Sequence, residues 1–198
     1  MEDAADAIEE AIKIRKRRIG HFSTDVADSL VELGLILLAQ KKYEDSLEIF
    51  DEALDLRERA FVHAKESEKG QIKLQMSKIL NNIGCANYEF GELRDARIAF
   101  EQSHATQRAC FEEGKFASMP GFLAMSSTMC NLGFSHMETK DWESAIFQLE
   151  EGLKIQHNVL EHTNVIIMGT IDNLAYSHLM SGAFDKALKV CLFGATAL

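Results

Sequence analysis

Proline is nearly missing: average usage of about 5% would place roughly ten in a chain of 198 residues, and there is one, Pro120. Proline is the residue that removes a helical hydrogen bond and clashes with the preceding turn, so helices can run uninterrupted. Long apolar runs are missing too. The longest, Leu33 to Ala39, has seven residues, against about twenty for a bilayer crossing, and no membrane segment is expected. The opening Met-Glu-Asp-Ala-Ala-Asp lacks the basic and apolar regions of a signal peptide and is too acidic for a transit peptide. An intracellular, cytoplasmic chain is expected. Cys85, Cys110, Cys130 and Cys191 form no CxxC pair and no Asn-x-Ser/Thr sequon occurs, which fits a reducing compartment with free thiols. Basic charge is short as well: 21 Lys and Arg against 31 Asp and Glu leave −10, without the basic face that nucleic acid or anionic lipid requires. Basic partners suit such a chain better. The 46% apolar and 26% charged residues are ordinary for a folded domain or short repeat array of this length.

What is present is a repeat. Leu30, Leu33, Gly34 and Leu37 are followed by Tyr43, Ser46, Phe50 and Ala53. Spacings of three and four put each group on one stripe of a helix, with Gln40-Lys41-Lys42 as the turn between. The offsets return at Leu80, Ile83, Gly84, Leu93, Ala96, Phe100 and Ser103, with Gly91 in the turn. They return again at Met129, Leu132, Gly133, Trp142, Ala145, Leu149 and Gly152, and a fourth time at Ile171, Leu174, Ala175, Phe184, Ala187, Cys191 and Gly194. Gly34, Gly84, Gly133 and Ala175 give steps of 50, 49 and 42 residues. A small residue at that place lets two helices approach more closely than ordinary packing allows, and Phe50, Phe100 and Leu149 are expected to fill the space between successive hairpins. A half-copy precedes these, Ala4, Ile8 and Ala11 matching Ser46, Phe50 and Ala53. The pattern predicts an all-α solenoid of antiparallel hairpins: a leading helix over 1–20, then repeats over 26–62, 72–112, 122–160 and 164–198.

Leu30-x₂-Leu33-Gly34-x₂-Leu37, Ser46-x₃-Phe50 and Ala53 resemble the tetratricopeptide repeat motif, W-x₂-L-G-x₂-Y, then A-x₃-F and A. The closing proline is absent and the repeats are longer than 34 residues. The step of 42 together with Ala11-Ile-Lys-Ile-Arg15 and Ala53-Leu-Asp-Leu-Arg57 is similar to the long repeats of kinesin light chains. The resemblance implies a superhelical array whose first helices line a concave side, with asparagines there holding the main chain of a bound peptide.

Counting from the small residue of each first helix, the stripe at −6, −2, +1, +4 and +5 is expected to face that groove. At −2 stand Glu32, Asn82, Asn131 and Asn173; at +1, Leu35, Cys85, Phe134 and Tyr176; at +4, Leu38, Tyr88, Met137 and Leu179. Asparagine is a poor residue in mid-helix, but its amide both donates and accepts, which suits an extended peptide backbone. Tyr88, Phe134, Met137 and Tyr176 are candidate pockets for peptide side chains, methionine being adaptable. Only Lys78 is basic, against Asp28, Glu32, Glu89 and Glu138 on the stripe and Asp172 beside it, so an apolar or basic segment is the expected ligand and a carboxylate clamp is not.

Other chemistry is sparse. His136 and His178 stand one repeat apart with Cys130 and Cys85 nearby in the stack, which repetition alone explains; no metal site, cofactor or catalytic constellation is expected. Glu112-Glu113 and Glu150-Glu151 are neighbouring acids, and there is no phosphate loop or nucleophile elbow. The run Lys13, Arg15, Lys16, Arg17, Arg18 follows five acids and suits a helix C-terminus better than a nuclear address. The last helix ends without charge after Lys189, and an end without a polar cap makes Leu192, Phe193 and Leu198 an expected interface for self-association or a partner. The expected function is a non-catalytic protein-interaction scaffold or adaptor; the alternative is a regulatory subunit or ligand-sensing domain of a larger assembly.

Overall fold

The computed structural model describes residues 2–20, 23–112, 119–161 and 164–196. Among them are nine helices and no strand: α1 (Glu2–Ile19), α2 (Thr24–Ala39), α3 (Tyr43–His63), α4 (Glu66–Phe90), α5 (Leu93–Glu112), α6 (Met119–Glu138), α7 (Trp142–Val159), α8 (Val165–Met180) and α9 (Phe184–Thr196). The chain divides into two compact units, Met1–Phe116 and Ala117–Leu198. The first holds the leading helix and two hairpins, α2/α3 and α4/α5. The second holds the hairpins α6/α7 and α8/α9.

Each hairpin closes through the same turn. Residue 41, 91, 140 or 182 has a left-handed backbone, with φ of 62° at Lys41, 94° at Gly91, 59° at Lys140 and 81° at Gly182. These positions are 50, 49 and 42 apart, so the turn keeps the register of the repeat. A backbone bond spans it every time: the N–H groups of Lys42, Glu92, Asp141 and Ala183 donate to the carbonyls of Leu37, Asn87, His136 and His178, all at 2.9 Å. This is the Schellman closure of a helix C-terminus.

In the first three hairpins the small residue of the first helix meets the large residue of its own hairpin. A Cβ on Gly34 would lie 2.5 Å from the Phe50 ring, one on Gly84 2.4 Å from Phe100, and one on Gly133 2.7 Å from Leu149. Phe50 and Leu149 are fully buried and Phe100 almost so. The rings therefore sit within hairpins, over the glycine, as well as bordering the next one. In the fourth copy the large residue shrinks to Cys191 and the glycine grows to Ala175.

The 50-residue step comes from α4. From the start of α2 to Gly34 is ten residues, and from the start of α4 to Gly84 it is eighteen. Those eight extra residues are two helical turns, carrying the buried Ile72.

The core of the first unit gathers Ala5 and Ile12 of α1, Val26, Ala27, Leu30, Leu33 and Leu37 of α2, Phe50, Ala53 and Leu56 of α3, and Ile79 and Ala86 of α4. In the second, Cys130, Leu149 and Leu174 pack with Met137, Ile146, Leu153 and Val190. Into these apolar interiors α3, α5 and α7 each send a long polar side chain at equivalent positions: Arg57, Gln107 and Gln156, each at most 2% exposed. Arg57 Nη2 donates to Asp28 Oδ1 of α2, and Gln156 Nε2 donates to Cys130 Sγ of α6 at 3.4 Å.

Candidate peptide-binding faces

Within each unit the first helices lie side by side, α2 next to α4 and α6 next to α8, because each hairpin stacks its first helix against the second helix of the hairpin before it. The stripe residues are thereby presented in neighbouring rows. In the first unit Glu32 and Lys78 are exposed and Asn82 and Tyr88 half-buried, while Leu35 of α2 is 45% exposed. In the second, Asn131 and Asn173 are half-buried on adjacent helices, and Phe134 and Tyr176 stand exposed one repeat apart. Leu179 and Met180 extend this apolar surface at 49% and 47% exposure. Tyr176 also leans edge-on against Trp142 of α7, ring centroids 6.2 Å apart. Met137 packs inward against the core more than it faces solvent.

Two features of this surface were not visible in residue counting. Asp28 does not act as a free groove acid, because it holds the guanidinium of the buried Arg57. Asn173 Nδ2 donates to the carbonyl of Gly169, one turn back, at 2.8 Å, so part of its donor capacity is spent on its own helix. The remaining acids, Glu32, Glu89, Glu138 and Asp172, are all exposed.

Cys85, beside Tyr88 and Glu89 on α4, has its thiol pushed up to about 11 by burial and by the charge of Glu89. That keeps the thiol in its protonated, less reactive form near neutral pH. Burial also raises Cys130, against hydrogen bonds from Thr170 and Gln156. Among the described residues no group of three or more His, Cys, Asp or Glu is placed to hold a metal ion, and no described helix is long and apolar enough to cross a membrane. The basic run of α1 occupies its last turns, where Lys16 pairs with Glu52 at 2.8 Å and Arg15 donates to Ser29.

Leu192 and Phe193 lie on α9, 56% and 49% exposed, with the Phe193 ring edge-on to His157 at 5.4 Å. Leu198 lies outside the described residues.

A tetratricopeptide repeat family model matches residues 1–59. That match adds to four hairpins carrying one pattern of small and large residues. The family match covers the first 59 residues, and the hairpins of both units are tetratricopeptide-like in fold. The long repeats of this chain are similar to those of kinesin light chains. Protein KINESIN LIGHT CHAIN-RELATED 2 of Arabidopsis thaliana is 28% identical over 177 residues, 87% of this chain and 25% of that protein, so the chain spans about a quarter of that relative's length. A kinesin light chain from Podosopora anserina with nearly identical repeats superposes with a TM-score of 0.73 at 15% identity, over 99% of this chain and 85% of that one. Rap protein, solved in complex with Competence and Sporulation Factor, superposes at 0.64 with 13% identity, over 99% of this chain and 49% of its own. These likenesses are of fold.

Proposed function

We propose that the array is a non-catalytic protein-interaction scaffold, and that the first-helix faces bind an extended segment of a partner protein. The observation that carries this reading is in the second unit: half-buried Asn131 and Asn173 on adjacent helices, flanked by exposed Phe134, Tyr176, Leu179 and Met180. Amides in neighbouring rows suit peptide main chain, and the apolar groups suit its side chains. Asn82, Tyr88 and Glu32 offer the same chemistry in the first unit. The likeness to a kinesin light chain-related protein and to a Rap protein solved with a bound factor supports a protein-binding role. With Glu32, Glu89, Glu138 and Asp172 exposed against Lys78, the bound segment is apolar or basic. No cofactor, metal, nucleic acid or membrane enters this reading.

The test is a set of extended peptides, basic and acidic versions of each, titrated against the wild type and the Asn82→Ala/Asn131→Ala/Asn173→Ala variant. At about 1 kcal/mol for each lost hydrogen bond, the triple variant binds roughly a hundredfold more weakly with unchanged circular dichroism. The basic version binds more tightly, and less so as salt rises. Equal binding by wild type and variant, or tighter binding of the acidic peptide, refutes the reading.

We also infer a contact surface on α9, fitted to an amphipathic helix of a partner. Tyr43 and Trp142 are covered by a ring of the following first helix, Phe90 at 5.8 Å and Tyr176 at 6.2 Å. Leu47 and Ile146 pack into cores to which α4 and α8 contribute. The equivalent Phe184 and Leu188 are 66% and 60% exposed, and Leu192 and Phe193 stand where the other copies carry Asp51 and Glu52, Glu101 and Gln102, Glu150 and Glu151. Titration of an amphipathic helical peptide into the wild type and into Leu192→Glu/Phe193→Glu tests it, with light scattering to detect self-association; the absence of both self-association and peptide binding that the double change weakens removes this surface.

A further inference from the structure

Two junctions between hairpins lie wholly within a unit, α3 against α4 in the first and α7 against α8 in the second, and the repeat matches them residue for residue. Their aromatic residues do not match. At the first junction the Phe90 ring, at the end of α4, leans on Tyr43 with centroids 5.8 Å apart. At the second, Trp142 stands in the place of Tyr43 but is met by Tyr176, the equivalent of Cys85 and not of Phe90. The place of Phe90 is taken by Ser181, and that of Glu92 by Ala183. The backbone beneath is shared: the Glu92 N–H donates to the carbonyl of Asn87 and the Ala183 N–H to that of His178, both at 2.9 Å.

The covering ring of the second junction thus comes from more than a helical turn earlier, and two small side chains stand where the first junction carries large ones. A cavity of about 270 Å³ opens there, lined by Glu143 and Ile146 of α7, His178 of α8, Lys186 of α9, and Ser181 and Ala183 in the turn. His178 is buried and Ile146 and Ala183 half-buried, while Glu143, Ser181 and Lys186 are exposed, so the cavity is open to solvent. The surface it presents is almost wholly apolar. At the first junction Phe90 is itself a wall, bordering an opening onto the turn residues 41–45. An apolar cavity of about 150 Å³ takes a benzene ring, and pockets for drug-sized molecules begin at about 300 Å³. The size suits a single side chain, and the surface favours an apolar one.

We propose that this cavity is a socket for an aromatic side chain of a bound protein, seated as Phe90 is seated at the first junction. Phe90 keeps 42% of its surface exposed, so the first junction holds its ring as a partial cover, and a ring brought from outside fits the second in the same manner. Met180 and Phe184, on either side of the socket in sequence, are 47% and 66% exposed. They extend the apolar surface beyond what one ring covers. That selects a protein segment, with residues on both sides of the aromatic one, over a free aromatic molecule. Glu143 and Lys186 at the opening offer one charge of each sign, so recognition here rests on shape and apolar contact and not on charge. The socket uses none of the asparagines of the first-helix faces and does not rest on the peptide-binding reading of those faces.

The experiment follows isoleucine, leucine and alanine methyl groups of the full chain by nuclear magnetic resonance, because an inserted aromatic ring shifts the methyl signals it covers. A capped Gly-Phe-Gly peptide, its Gly-Ala-Gly counterpart and toluene are titrated in separately. The expected result is a saturable shift of the Ile146 and Ala183 methyls with the Phe peptide and none with the Ala peptide, unchanged in the Asn82→Ala/Asn131→Ala/Asn173→Ala variant. Ser181→Phe supplies the ring from within and abolishes the response while circular dichroism stays helical; Ala183→Leu fills the same space by a second route. Phe90→Ser opens the matching place at the first junction and brings the Leu47 methyls into the response. The proposal is overturned if the Phe peptide leaves Ile146 and Ala183 unmoved, if the Ala peptide moves them equally, if toluene alone moves them, or if the response survives both filling substitutions.

Discussion

Adding one methyl group at Gly133 of α6 is expected to have opposite effects in two backgrounds. The new Cβ would lie 2.7 Å from Leu149 Cγ and 2.9 Å from Cδ2, where carbon atoms pack at about 3.5–4.0 Å. Leu149 is fully buried, so it has no free path of retreat, and overpacking of this kind costs about 1–3 kcal/mol. Against that, alanine is favoured over glycine in a helix interior by about 1 kcal/mol. Gly169 of α8 supplies the reference, since a Cβ there meets nothing within 4 Å. Gly169→Ala should stabilise by up to about 1 kcal/mol, and the difference between the two variants reads the clash. Leu149→Ala alone should cost about 2–5 kcal/mol through lost burial and the cavity left behind. In that background Gly133→Ala fills part of the cavity and becomes stabilising, an arrangement the fourth copy already approximates with Ala175 and Cys191. The assay is equilibrium unfolding in urea followed by fluorescence of Trp142, the single tryptophan, which stands in the same unit. If Gly133→Ala changes stability equally in both backgrounds, the close approach of α6 and α7 at this glycine is not what selects it.

Lys41 and Lys140 hold the left-handed conformation that Gly91 and Gly182 hold in the other turns, and a side chain there costs about 1–2 kcal/mol. Lys41→Gly and Lys140→Gly should each raise the thermal midpoint and Gly91→Ala lower it; a fall on either lysine replacement counts against the strain argument. His104 is held below its ordinary value by burial and then by Arg108, and His178 by burial despite Glu150. The unfolded chain therefore binds more protons than the folded one, and stability should fall as pH drops through about 6.5. Urea midpoints at pH 7.5 and 5.5 measure the slope, which His104→Gln/His178→Gln should flatten. Iodoacetamide followed by mass spectrometry should modify exposed Cys191 first, Cys85 slowly because its thiol sits at about 11, and buried Cys110 and Cys130 only in denaturant; prompt labelling of Cys130 would contradict its burial.

The hairpin architecture was legible because close helix packing restricts residue 34 and its equivalents so sharply that four copies show it at once. The length of the repeat was legible as a number but not as a structure: the two extra turns of α4 include Gly70 and start behind Lys65, whose N–H donates to Glu68, without the Ser, Thr, Asp or Asn that marks a helix start. The rows of stripe residues could be placed by spacing, and Asn131 and Asn173 stand on adjacent helices, but charge counting took Asp28 for a free groove acid when it pairs with Arg57. An ion pair across 29 positions leaves no periodic trace.

Arg57 sets the first hairpin apart from the second and third, which bury Gln107 and Gln156 at the same place. Near-identical repeats run the risk that a helix docks on the wrong neighbour during folding, a failure common in repeat proteins, because the apolar stripes alone fit one another about equally well. A guanidinium that reaches the site meant for an amide would meet Cys130 instead of Asp28 and be buried without a countercharge, which is among the costliest outcomes available to a protein interior. The buried charge of Arg57 therefore works as a checking mark on partner choice. Exchanging Arg57 and Gln156 should leave composition and net charge untouched while slowing refolding and populating mispaired intermediates.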